Sequence, residues 1–496
     1  MPFFSRYSNS LILLRKRSNV SGANTFLNGN GANIFTVPDG VTIIHAVAIG
    51  GGGTGSGARS TQNAGGGGGG LGYVNNKSVT AGQQLLVYAG HGGNAAVTST
   101  TTWATAIYEE AYGQDSFVAT LDATITGCSA ANTATPITTD VTVSCSSTTG
   151  LSSGMTVVVG SGSGKLQNRT TVVSVTNSTA FVISAVPIRT LSSATIYASS
   201  NVFVRGNGGG YPTGFNPASG ISSSSYVNNT GGAGGGRVGD GGGTGGNGGN
   251  VGYFLSGGTT YGGSAGGGGG AAGYSGNGGA GGASNGSVAT NPTSGSAGSG
   301  GGGGGGSGGY FGDASSGYST MRAGHGGAVD VYGGFDSGAG GVHKANIGDT
   351  GQSGIGGSNG GISNNYVVIS TRYPGANGTN ISDSAIRAGS TPNFSVIKAG
   401  WAAKAPLGVS TPFNGVAFYV SALANSTSGT MSFNYTSTKT NSTNNIVYYH
   451  SGYVNPSTND LDYGAGSGSP VNGGRGAVRI IWGSGRAFPN TNVSTD

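Results

Sequence analysis

The sequence predicts an all-β protein with essentially no α-helix: an antiparallel β-sandwich framework, small inserted β modules and a polyglycine II helix bundle. Three observations lead there. Short runs of alternating β-branched and aromatic residues recur between Gly, Asn, Asp and Ser turns along most of the chain. Helical periodicity is absent. Glycine occupies 108 of 496 positions, where average usage is about 7%, and it gathers in tracts instead of spreading evenly.

Six segments follow one another. Residues 1–33 form a short lead, apolar at Leu11 to Leu14 and basic at Arg15, Lys16 and Arg17, with no small-residue cleavage site, so we expect no secretory signal. Residues 34–118 read as a glycine-rich β framework: FTVPDGVTIIHAVAIG is a strand pair around the turn Pro38-Asp39-Gly40, and QQLLVYAG is a further strand. Between 119 and 205 glycine thins out. MTVVVGSG, TTVVSVTNSTAFVISA and SATIYASSNVFV alternate as a small inserted β module. Residues 206–361 are a polyglycine-rich rod-and-loop domain, in which dense tracts alternate with spacers carrying large aromatic side chains. Residues 362–472 return to strands such as GVAFYVSAL and NNIVYYH, and 473–496 supply a closing strand, GAVRIIW, and a tail.

A glycine tract brings no apolar area to bury and loses the most backbone entropy on ordering, so a conventional core cannot hold it. Extended left-handed glycine, with three residues per turn, points every N–H and C=O outward and can be approached from all sides. Buried amides and carbonyls must be paired, and a bundle of such strands pairs them where a lone strand cannot. We therefore expect backbone hydrogen bonds to be the cohesion of 206–361.

Little in the chain suggests catalysis. Charged residues are 7% of the total, and the only two glutamates, Glu109 and Glu110, are adjacent. The string GSGSGKLQ at 160–167 resembles a phosphate loop, but its spacing is one residue short and Leu166 stands where the metal-coordinating hydroxyl belongs. His45, His91, His325, His343 and His450 are scattered without zinc spacing. Nothing singles out a carboxylate pair for glycoside hydrolysis among Asp330, Asp336, Asp349, Asp460 and Asp462. We expect no enzyme, no cofactor and no metal. The net charge of +6 is spread thinly, which argues against a nucleic-acid partner. Cys128 and Cys145 lie close enough in sequence for a disulfide, a point left open.

The string FTVPDGVTIIHAVAIGGGGTG, followed by GGGGGGLGYVNNKSVTAGQQLLVYAGHGGN and YGQDSFVA, resembles the glycine-rich domain of bacteriophage tail-fibre proteins, and GGRGAVRIIWGSGRAFP at 473–489 resembles the closing strand of virion structural proteins of marine cyanobacterial phages. The tract-and-loop region is similar in composition to the tip adhesins of T-even phages, in which polyglycine helices are bundled and loops at the bundle end contact the receptor. The resemblance implies a virion protein on the tail or capsid surface, attached to other virion proteins through its N-terminal segment. It further implies several copies, trimers being usual, and a host partner that is a surface glycan or an outer-membrane protein. A purely structural appendage, such as a capsid fibre, whisker or tail decoration, is the alternative.

Tyr and Trp offer large rigid contact area at low entropic cost. The candidate receptor contacts are therefore the spacer aromatics Tyr211, Phe215, Tyr226, Tyr253, Phe254, Tyr261, Tyr310, Phe311 and Tyr318. The competing expectation is that each caps a glycine bundle or fills a small local core.

Overall fold

In the computed structural model the described residues are 21–94, 110–212 and 226–310 apart from short connections, parts of 326–329, strands between 368 and 461, and 463–489 apart from 468–471. Two five-stranded antiparallel sheets face each other. The first contains β1 (Gly22–Leu27), β3 (Ile43–Ile49), β5 (Leu71–Ser78), β17 (Gly241–Gly243) and β31 (Ala477–Trp482) in the order β1-β31-β3-β5-β17. The second contains β2 (Gly31–Thr36), β6 (Gln84–Ala89), β7 (Ser116–Thr120), β14 (Val202–Gly206) and β16 (Arg237–Val238) in the order β16-β14-β7-β6-β2. Phe35, Ile44, Ala46, Leu85, Val87, Val118, Val204, Val478 and Ile480 interleave between them as one core.

The closing strand β31 shows why its sequence reads as an unbroken apolar run. It is inserted between β1 and β3, buried along its whole length. Val478, Ile480 and Trp482 face the sandwich core, while Ala477 and Ile481 pack on the opposite side against Tyr274 and Phe488. Strands covered on both faces lose the alternation of apolar and polar residues.

The inserted module begins directly after β7 and ends directly before β14, which pair with each other from Ala119 and Val202. It is a six-stranded sheet of β8 (Ala123–Ala130), β9 (Val141–Ser144), β10 (Thr156–Lys165), β11 (Val172–Asn177), β12 (Ala180–Ile183) and β13 (Arg189–Ser199), ordered β10-β13-β8-β9-β12-β11. Ile125, Val143, Val157, Phe181, Ile183 and Ile196 form its own core. A clasp closes its neck: Asp122 N–H donates to Ala198 O at 3.0 Å, and the Asp122 carboxylate accepts from the Ser200 N–H at 2.7 Å and from the Ser200 hydroxyl.

Between the sandwich and the spacer strands run the glycine tracts, and 65–70 is the best surrounded. Its N–H groups donate in a three-residue rotation: Gly65 and Gly68 to Gly249 and Gly246, Gly66 and Gly69 to Ser467 and Gly464, Gly67 and Gly70 to Gly210 and Asn207, at 2.6–3.1 Å. Its carbonyls accept from three further segments, Gly65 and Gly68 from Gly232 and Gly235, Gly66 and Gly69 from Gly269 and Ala272, Gly67 and Gly70 from Gly53 and Gly50. All twelve backbone groups are therefore paired, to six neighbouring segments. Other tracts repeat the period: Gly245 and Gly248 donate to Gly235 and Gly232, Gly246 and Gly249 to Gly270 and Gly267. Close approach is what demands glycine here, because a Cβ on any residue from Gly65 to Gly70 would run into a neighbouring backbone carbonyl.

Several tracts join a sandwich strand to a spacer strand. β4 (Gln62–Asn63) leads through 65–70 into β5, and β17 leads through 244–250 into β18 (Val251–Ser256). At the far end β15 (Tyr226–Asn229), β18 and β19 (Thr259–Tyr261) form a small sheet, with β21 (Ser284–Gly286) parallel to β18. Beside it lies a three-stranded sheet of β22 (Gly309–Tyr310), β20 (Ser264–Ala265) and β4. The expected β module at 362–472 is represented by β23 (Val368–Arg372), β24 (Asn380–Ile381), β25 (Ala402–Lys404), β26 (Ala417–Asn425), β27 (Ser428–Ser432) and β28 (Thr443–Tyr449), an antiparallel sheet ordered β23-β28-β25-β26-β27-β24. The pair β29 (Val454–Asn455) and β30 (Asp460–Leu461) stands apart from that sheet.

Candidate functional site

Five of the nine candidate aromatics fall on the sheets at the far end of the tracts. Tyr226 is paired with Phe254, and Phe254 with Tyr261, so the three occupy one cross-strand row over β15, β18 and β19. Tyr253 is the neighbouring position on β18, opposite Val227. Tyr310 pairs with Ser264 on the adjoining sheet. This row was not foreseen, although its signal is in the sequence: Gly257-Gly258 lies between two short β-prone runs, the mark of a two-residue hairpin that sets Phe254 against Tyr261.

Tyr211 belongs elsewhere. It ends the tract 207–210, is 7% exposed, and its ring lies 6.2 Å from that of Tyr112, so it caps the bundle. Tyr274 does the same at the sandwich end of the tract that begins at Gly266, stacked on Phe488 at 5.9 Å and close to Tyr73. Phe215, Phe311 and Tyr318 lie outside the described residues.

A second concentration of chemistry lies where the inserted module docks on the sandwich. The Asp115 carboxylate is buried and takes Arg169 through Nε at 3.0 Å, Arg169 through a terminal nitrogen at 3.4 Å and the Gly208 N–H at 2.9 Å. Glu110 is gripped by Arg189 at 2.5 and 2.9 Å. Burial pushes the Glu110 carboxyl up, but the hydrogen bonds from Arg189 and the fields of Lys165 and Arg189 outweigh it and hold the group below the usual carboxylate range. Asn168 fixes the register of the joint, donating to Gly113 O at 2.8 Å and accepting from the Asp115 N–H at 3.1 Å. The glycine-rich string at 160–165 that resembles a phosphate loop is part of strand β10 and opens no helix.

Cys128 and Cys145 are both free thiols, on the adjacent strand β8 and just beyond the end of β9. Burial pushes the Cys128 thiol up to about 12 and raises that of Cys145 as well, so both are protonated at neutral pH. Among the described residues no three His, Cys, Asp or Glu side chains gather as a metal-binding group. No family model, curated protein or solved structure matches the chain.

Proposed function

We propose that this chain is a non-enzymatic bacteriophage virion protein of the tail-fibre or adhesin type, which holds loops and small sheets out from a rigid stem to meet a host-cell surface. The stem is the glycine bundle, and we read its tracts as polyglycine II helices on the strength of the three-residue hydrogen-bond rotation around 65–70. Six residues at about 3.1 Å each give a spacer of about 19 Å between the sandwich and the outer sheets. Backbone bonds in every direction make that spacer stiff, whereas a glycine linker of the same length would be a flexible coil.

The observation that carries the contact surface is the row Tyr226, Phe254 and Tyr261, three aromatics collected from separate strands at the end of the stem. Aromatic rows on polar, glycine-flanked sheets suit stacking on sugar rings or an outer-membrane protein. Many copies on one particle multiply weak contacts into firm adsorption. The buried Tyr211 favours the alternative of a purely structural appendage for that residue alone. Purified protein should bind susceptible host cells saturably and resistant cells little, with Phe254→Ala and Tyr261→Ala together abolishing the difference at unchanged melting temperature. Equal binding to both strains removes the adhesin reading and leaves the appendage.

A further inference from the structure

The joint between the sandwich and the inserted module is open on one side as a cleft of about 590 Å3, inside the roughly 300–1,000 Å3 span of small-ligand sites. Five lysine and arginine side chains line it against two carboxylates. That excess of three positive charges is half the +6 of the entire chain, concentrated in one concavity.

The two carboxylates are already engaged. Glu110 is held bidentately by Arg189, and Asp115 by Arg169 and the Gly208 N–H. Two cations remain with donor capacity to spare. The half-buried Lys165 ammonium makes no hydrogen bond or close ion pair with any described residue; burial lowers its proton affinity, and the field of Glu110 only partly offsets that. Arg205 shares Asp115 in a longer ion pair of 3.9 Å, and its buried Nε has no hydrogen-bond partner. Buried donors without acceptors are costly, and a surplus of cations in a partly desolvated cleft favours an incoming anion.

The remaining wall selects among anions. The lining aromatics Tyr88 and Phe117 stack on each other with centroids 5.5 Å apart, and Phe117 is buried, so neither is left as an apolar anchor for a peptide. Asn94, Gln114 and Ser161 add two amides and a hydroxyl to the same lining. We propose that this cleft binds an anionic saccharide, whose carboxylate or sulfate groups are met by the cations of the lining, Lys165 among them, and whose ring hydroxyls meet the amides and hydroxyl of the same wall. The site is separate from the aromatic row and does not depend on that row contacting a cell.

The test is calorimetric titration of the full chain with a heparin tetrasaccharide, a tetragalacturonate and neutral maltotetraose. The acidic sugars should bind, less tightly as salt is raised to about 0.5 M, and maltotetraose should not. Comparison of the first two separates sulfate from carboxylate as the recognised group. Lys165→Gln should weaken binding about tenfold or more, whereas Arg237→Gln, the same charge loss on an exposed strand outside the cleft, leaves it unchanged. Phe254→Ala with Tyr261→Ala should also leave it unchanged, so failure of the adhesin reading and failure of this one are told apart. No binding by either acidic sugar, equal binding of maltotetraose, salt-independent binding, or a Lys165→Gln protein that binds like the parent overturns the proposal.

Discussion

A methyl group on Gly67 would collide with the carbonyl of Ala233, and that carbonyl belongs to a neighbouring tract with no room to retreat. We predict that Gly67→Ala costs at least about 3 kcal/mol, at the upper end of overpacking effects. Gly82 is the contrast: nothing lies within 4 Å of its added Cβ, and only its left-handed φ of +77° is at stake. Gly82→Ala should cost about 1–2 kcal/mol, and denaturant midpoints of the two variants distinguish crowding from backbone strain. Glu110 supplies a pH prediction. A carboxyl held below its unfolded value contributes stability that is present above that value and lost as pH falls through the folded one. The melting temperature should therefore drop on acidification from about pH 5 to pH 3, and Glu110→Gln should start lower and change less. The sequence marked Glu110 only as half of an isolated pair of glutamates. Its partner Arg189 is 79 residues away, and no local pattern links them.

The inserted module is an element with its own core and a narrow neck, so it is separable. Ala119 and Val202 are already paired across that neck, and Asp122 already reaches Ser200. A variant joining Asp122 directly to Ser200 should keep a cooperative β-sheet unfolding transition for the sandwich while losing the cleft and all binding of acidic saccharide. Loss of folding instead would make the module part of the framework. β alternation made the module's strands legible, since half-buried sheets write apolar and polar positions in turn. The allocation of strands to sheets was not. β14 falls within the stretch 119–205 read as insert, yet it pairs with β7 in the sandwich, and β1 falls within the lead yet pairs with β31. Register across hundreds of residues depends on which edges the fold leaves open, and that is decided by tertiary packing. The aromatic row was hidden for the same reason, apart from the one hairpin that a Gly-Gly turn announces.

For the whole molecule, glycine content made a backbone-bonded core legible, because no other cohesion is open to segments without side chains. Which tract lies beside which was illegible: all present the same surface, and Gly66 finds Ser467 only because the strands at their ends bring them together. Hydrogen bonds on every side of the central tract imply an interior as solid as the sandwich. Amide hydrogen exchange over residues 65–70 measures this most directly. Protection equal to that of the sandwich strands β3 and β31, lost only with global unfolding, is the predicted result. Exchange of those six amides at the rate of an unstructured glycine linker would contradict it.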